Sequence, residues 1–109
     1  MPALTPDQFI EETSDTVRTQ WISEAGGLTQ FGALIETLQP GASSSIKHWH
    51  SAEDEFVYVL EGNVTLIEGD TQTLLGPGDA ATFRCGVALG HTLHNQSTLP
   101  ARYLVVGTR

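Results

Sequence analysis

The stretch His48-Trp49-His50-Ser51-Ala52-Glu53-Asp54-Glu55-Phe56-Val57-Tyr58-Val59-Leu60-Glu61-Gly62 decides how this chain is read. Side chains on a β-strand alternate between its two faces, so His48 and His50 project together while Trp49 points away as a packing residue. The polar run Ser51 to Asp54 turns the chain, and Glu55 opens a second strand. Two imidazoles and a carboxylate are thereby gathered within one short segment. His91, in Gly90-His91-Thr92-Leu93-His94-Asn95, can supply a further ligand. Such a borderline nitrogen and oxygen set suits Fe, Mn, Ni, Co, Cu or Zn.

The strand after the turn carries a second message. With Glu55 facing the proposed ion, Val57 and Val59 share its inward parity, and Phe56, Tyr58 and Leu60 form an outward apolar row. An apolar row on the outer face of a sheet needs cover, which leads to the expectation of a homodimer.

Working outward, short apolar runs punctuated by turn residues fill the chain. Thr16 to Ile22 reads as a strand broken by Gly26-Gly27, and Phe31 to Leu38 as one ended by Gln39-Pro40-Gly41. Ser45 to His50 is the histidine strand. Glu55 to Leu60 and Asn63 to Ile67 read as a hairpin around Glu61-Gly62, and Glu68-Gly69-Asp70 turns into Thr71 to Leu75. Gly76-Pro77-Gly78-Asp79 precedes Ala80 to Phe83, and two more strands lie near His91 to Asn95 and Arg102 to Val106. Around nine strands of this kind fit a sandwich or barrel. Near the start, Thr5-Pro6-Asp7-Gln8 has the form of a helix beginning, with a short helix expected over 6–12 and Phe9 as its apolar anchor.

Composition narrows the function classes. A length of 109 residues is enough for one core without disulfide staples. Cys85 is the single cysteine, so no internal disulfide can form, and a reducing compartment is expected. Five basic against thirteen acidic residues give a formal charge of −8, which argues against a nucleic-acid partner. No apolar run approaches membrane-spanning length and no signal-like segment opens the chain, so no membrane is expected and the cytoplasm is the expected location.

At the histidine and glycine positions the chain resembles the cupin superfamily. Its first motif is matched by Gly41, His48-x-His50, Glu55 and Gly62, the first gap being longer by one residue. Its second is matched by Gly78, Gly86, His91 and Asn95, with Arg84 in the usual proline slot and two extra residues before His91. The segments Gly27 to Gly32, His48 to Gly62 and Tyr103 to Arg109 look like those of small single-domain bacterial cupins. The resemblance implies an all-β fold: a double-stranded β-helix, or jelly-roll barrel, over 25–109, preceded by a short helical or extended arm over 1–24. It also implies one divalent transition metal per chain (Fe, Mn, Ni or Zn) held by His48, His50, Glu55 and His91.

Glu55 alone keeps the family's gap to Gly62, leaving Glu53 and Asp54 as solvated loop charges. It would serve as a general base if substrate displaced it from the metal. His94 has the opposite parity to His91 and faces away, and Asn95 is expected to bond backbone. Arg84 and Lys47 are the candidates for gripping an anionic substrate. The expected activity is that of a metal-dependent enzyme of dioxygenase, isomerase or lyase type acting on a small polar molecule. The alternative is a non-catalytic cupin that binds or senses a small molecule or a metal.

Overall fold

A computed structural model describes residues 2–44, 53–87 and 89–108. Among these, nine strands run in chain order: β1 (Ile10–Thr13), β2 (Val17–Trp21), β3 (Phe31–Leu38), β4 (Glu55–Glu61), β5 (Val64–Glu68), β6 (Thr71–Leu75), β7 (Ala80–Phe83), β8 (His91–His94) and β9 (Ala101–Thr108). They form two antiparallel sheets, one of six strands in the order β1-β2-β3-β9-β4-β7 and one of three in the order β6-β5-β8. The expected histidine strand, Ser45 to His50, lies outside the described residues.

The register of three central strands organises the interior. Leu34, Glu36 and Leu38 of β3 face Val105, Tyr103 and Ala101 of β9, while Val59, Val57 and Glu55 of β4 face Tyr103, Val105 and Gly107 on its other side. All of these share inward parity, so one sheet face presents Val57, Val59, Tyr103, Ala101 and Leu38, each essentially inaccessible to solvent. Val64, Leu66, Leu75 and Leu93 come from the other sheet to close the core. On the outer face Phe56 and Tyr58 remain about 40% exposed (39% and 42%), as their alternation with Val57 and Val59 dictates.

Two expectations are corrected. The helix expected over 6–12 is a single 3₁₀ turn, Pro6–Gln8, in which the Thr5 N–H donates to Gln8 Oε1 at 2.9 Å. An isolated seven-residue helix cannot repay its nucleation cost, whereas the edge of β2 offers a complete ladder. Glu11 of β1 is also held by a two-pronged bond from Arg18 of β2, at 2.7 and 2.9 Å. The second correction concerns Glu61-Gly62, which is a corner between sheets and not a hairpin turn. β4 pairs with β7 and β9, while β5 pairs with β6 and β8.

Gly62 makes that corner possible. Its φ is +72°, and a Cβ placed there would lie 2.4 Å from the Pro100 carbonyl oxygen and 2.9 Å from Ala101 Cα. Left-handed backbone strain and a backbone clash therefore add. Gly62→Ala is expected to cost about 2–4 kcal/mol. Gly41→Ala, at φ +87° with nothing within 4 Å of the added Cβ, should cost about 1 kcal/mol. Urea unfolding of the two variants checks the ranking.

Candidate functional site

Between the sheets lies a cavity of about 320 Å³ whose lining is divided by chemistry. Trp21, Leu34, Val57, Leu93 and Val105 make its apolar walls, and Glu36, Ser44, Glu55, His91 and Tyr103 supply polar groups. Its volume falls at the low end of the range of about 300–1,000 Å³ found for ligand pockets, which suits a small molecule.

At one end, Glu55 opens β4 and His91 opens β8. His91 Nε2 donates toward Glu55 Oε1 at 3.3 Å, with side-chain exposures of 7% and 21%. Two structural devices aim these groups. The Phe83 ring stacks on the His91 imidazole, centroids 3.7 Å apart and planes within 7°, and Phe83 is the register partner of Glu55. On its other side Glu55 is paired with Gly107, where an added Cβ would sit 3.8 Å from Glu55 Oε2. The Glu55 carboxylate thus lies over the Gly107 position of β9.

Two ligand atoms each bound at about 2.1 Å and at right angles around one ion stand about 3 Å apart. The nitrogen and oxygen of His91 and Glu55 thus meet at a separation that one transition ion could bridge, and their chemistry fits it. His48 and His50, expected to complete the set, lie outside the described residues, as does Lys47. Among the described residues no group of three His, Cys, Asp or Glu converges as a metal cluster.

The rival residues are engaged elsewhere. Asp54 Oδ1 accepts the Cys85 N–H at 2.8 Å, tying down the loop after β7. His94 Nε2 meets the Gly41 carbonyl oxygen at 3.1 Å. Asn95, wholly buried, donates to the carbonyls of Leu38 and Leu99 at 3.0 and 2.8 Å and accepts from Ser97. It is a structural clamp between the end of β3 and the loop before β9, as its expected backbone bonding implies. Arg84 is exposed and borders two further hollows beside the site, one of about 440 Å³ shared with Glu55 and one of about 220 Å³ shared with His91.

Reading the sequence did not single out the pair at the other end of the cavity. Glu36 and Tyr103 are register partners on β3 and β9, and the Tyr103 hydroxyl donates a short hydrogen bond to Glu36 Oε1. Thr19 Oγ1 donates to Glu36 Oε2 at 3.3 Å. A signal was present: Glu36 stands at the parity of Leu34 and Leu38, where the strand is otherwise apolar. Burial pushes the Glu36 carboxyl above its ordinary range, opposed by the bonds from Tyr103 and Thr19, while the charge of Glu55 adds to the rise. Burial, then the neighbouring Glu36, raise the Tyr103 phenol far above its usual value.

Comparison with known proteins fits this geometry. The family model for the cupin domain matches residues 34–107, from the middle of β3 almost to the end of β9. The chain is a cupin. A cupin-superfamily sugar phosphate isomerase from Silicibacter pomeroyi superposes with a TM-score of 0.90 at 38% identity, covering 99% of this chain and 76% of that one. A candidate sugar phosphate isomerase from Acidithiobacillus ferrooxidans gives 0.77 at 34% identity, covering 84% of this chain and 60% of that one. The polyketide cyclase RemF from Streptomyces resistomycificus shares the fold, with a TM-score of 0.82 at 22% identity over 99% of this chain and 79% of its own. A search of curated proteins finds no match. Cupins commonly bind a transition metal. Among the described residues of this one, no helix is long and apolar enough to cross a membrane.

The raised Glu36 carboxyl has a consequence for stability. The folded state holds this proton more tightly than the unfolded chain, so ionisation costs nothing below the unfolded value of about 4.3 and penalises folding as pH rises through the folded value. Glu36→Gln keeps an acceptor for Tyr103 and removes the penalty. Thermal melts should show the variant gaining stability over wild type at pH 7 and little or none at pH 4. An equal difference at both pH values would contradict the assignment.

Proposed function

We propose that this cupin is a metal-dependent isomerase of a small hydroxycarbonyl compound of the sugar phosphate class. The observation that carries the reading is the convergence of His91 Nε2 and Glu55 Oε1 in a partly open cavity of about 320 Å³ between the sheets. The names of the two relatives above 30% identity favour isomerisation over dioxygenase or lyase chemistry. His91 and Glu55 would hold one divalent transition ion together with His48 and His50, and the bound ion would supply Lewis-acid polarisation of a carbonyl oxygen.

The protein's own side chains account for the rest of recognition. The apolar walls strip water from the carbon skeleton, and Ser44 brings a hydroxyl to the lining. Among the described lining residues the cavity holds the two carboxylates Glu36 and Glu55, which disfavour an anionic group next to them. Arg84 stands at the hollows beside Glu55 and His91 and is, among the described residues, the candidate for gripping a phosphate there, and Lys47, outside the described residues, is the second candidate. Phe83 keeps the imidazole in plane through its stack. The protein acts in the cytoplasm, without nucleic-acid or membrane partners.

Metal analysis by plasma mass spectrometry tests the site. Wild-type protein is expected to carry about one ion per chain. His91→Ala should lose more affinity than the 10–100-fold typical of outer-sphere partners, and His94→Ala should match wild type. Glu55→Gln should weaken binding far more than Asp54→Asn. Full occupancy in His91→Ala would remove this residue from the ligand set.

The outer face supports a homodimer, since Phe56 and Tyr58 stand side by side and about 40% exposed (39% and 42%) on a central strand. Sedimentation at micromolar concentration is expected to show a dimer in wild type and a monomer in Phe56→Asp/Tyr58→Asp. A wild-type monomer would contradict it.

A further inference from the structure

Glu36 accepts from the Tyr103 and Thr19 hydroxyls, a duty that a neutral Gln could also perform. A carboxylate facing an apolar cavity is costly to bury, and an aliphatic side chain would continue the parity of Leu34 and Leu38. It is nonetheless fixed in place from two sides, by the Tyr103 hydroxyl on one oxygen and the Thr19 hydroxyl on the other. Both partners sit on strands flanking β3, so sheet register sets the carboxylate's orientation. It shares the cavity with Glu55 and His91 yet belongs to a different row of the sheet, since Glu36 is level with Tyr103 and Val59 while Glu55 is level with Gly107.

We infer that Glu36 is the proton-transfer residue of this site, moving a proton between adjacent carbons of a substrate whose oxygens are held at the Glu55–His91 end. The inference rests on the isomerase reading above, and it assigns to Glu36 the base role that the family motifs suggest for Glu55. The step balances without an added oxidant or reductant. Glu36 takes the proton from the hydroxyl-bearing carbon, the C–H electron pair becomes the C=C bond of an enediolate, and the carbonyl π pair moves onto oxygen. The hydroxyl proton then passes to that oxygen. The freed electron pair forms the new carbonyl, and Glu36 returns its proton to the former carbonyl carbon. Tyr103 keeps the carboxylate oriented throughout. A buried carboxyl shifted upward, as Glu36 is, is a stronger base than a solvated one.

The test follows interconversion of aldose and ketose phosphates of four to six carbons by proton NMR, using metal-loaded wild type, Glu36→Gln, Glu36→Asp and Glu55→Gln. Metal content and melting temperature are measured on each. The expected result is interconversion by wild type and a loss of about 10²–10⁴-fold in Glu36→Gln, with its metal content unchanged and its melting temperature no lower. Glu36→Asp, which keeps a carboxylate, should recover part of the rate, and Glu55→Gln should lose metal and rate together. Wild-type turnover that survives Glu36→Gln within threefold overturns the inference and leaves the isomerase reading standing. A Glu36→Gln rate loss that tracks metal loss also overturns it. No interconversion of any probe by metal-loaded wild type overturns the isomerase reading and this inference with it.

Discussion

The register of β3, β9 and β4 is the constraint on which the rest of the structure depends. It places Glu36 beside Tyr103 and Glu55 beside Gly107, and it turns these three polar side chains inward among Leu34, Val57 and Val105. A slip of one residue in any of the three would send these groups to the outer face and expose Val57 and Val59. The core thus specifies one wall of the site: the apolar residues that fix the register hold two carboxylates and a phenol there, while β8 of the other sheet brings the His91 imidazole to the same cavity.

Each end of the cavity is braced in its own way. At the Glu55 end the support is geometric, with a glycine opposite the carboxylate and an aromatic ring stacked on the imidazole. At the Glu36 end it is a hydrogen-bonded network, in which two hydroxyls serve one carboxyl. The network offsets part of the desolvation cost of Glu36 and leaves the rest, so the carboxyl sits above its ordinary range. Perturbed carboxyls of this kind cluster at functional sites, which makes Glu36 a candidate functional residue.

Much of this was legible in the sequence, for local reasons. β3, β6 and β7 were bounded by Gly, Pro and Asp turns and emerge with the residues expected. The alternation of Glu55, Val57 and Val59 against Phe56 and Tyr58 correctly divided inner from outer faces. The resemblance to the family's second motif led to the expectation that Asn95 bonds backbone, and it does. What failed was non-local. Glu61-Gly62 has the look of a hairpin turn, and only the approach of Pro100 and Ala101 shows that the chain changes sheets there. Glu36 and Tyr103 stand 67 residues apart, and no local pattern announces their meeting. Ile10 to Thr13 was drawn into a strand by its neighbour's edge, against a helical start signal of a single turn.

The central claim is that one ion sits where Glu55 and His91 converge. X-ray absorption spectroscopy of the manganese- or nickel-loaded protein tests it most directly. The account predicts a shell of nitrogen and oxygen ligands at about 2.1 Å, with imidazole scattering that weakens in His91→Ala and no sulfur contribution from Cys85. A spectrum unchanged by His91→Ala, or one containing a sulfur ligand, would contradict it.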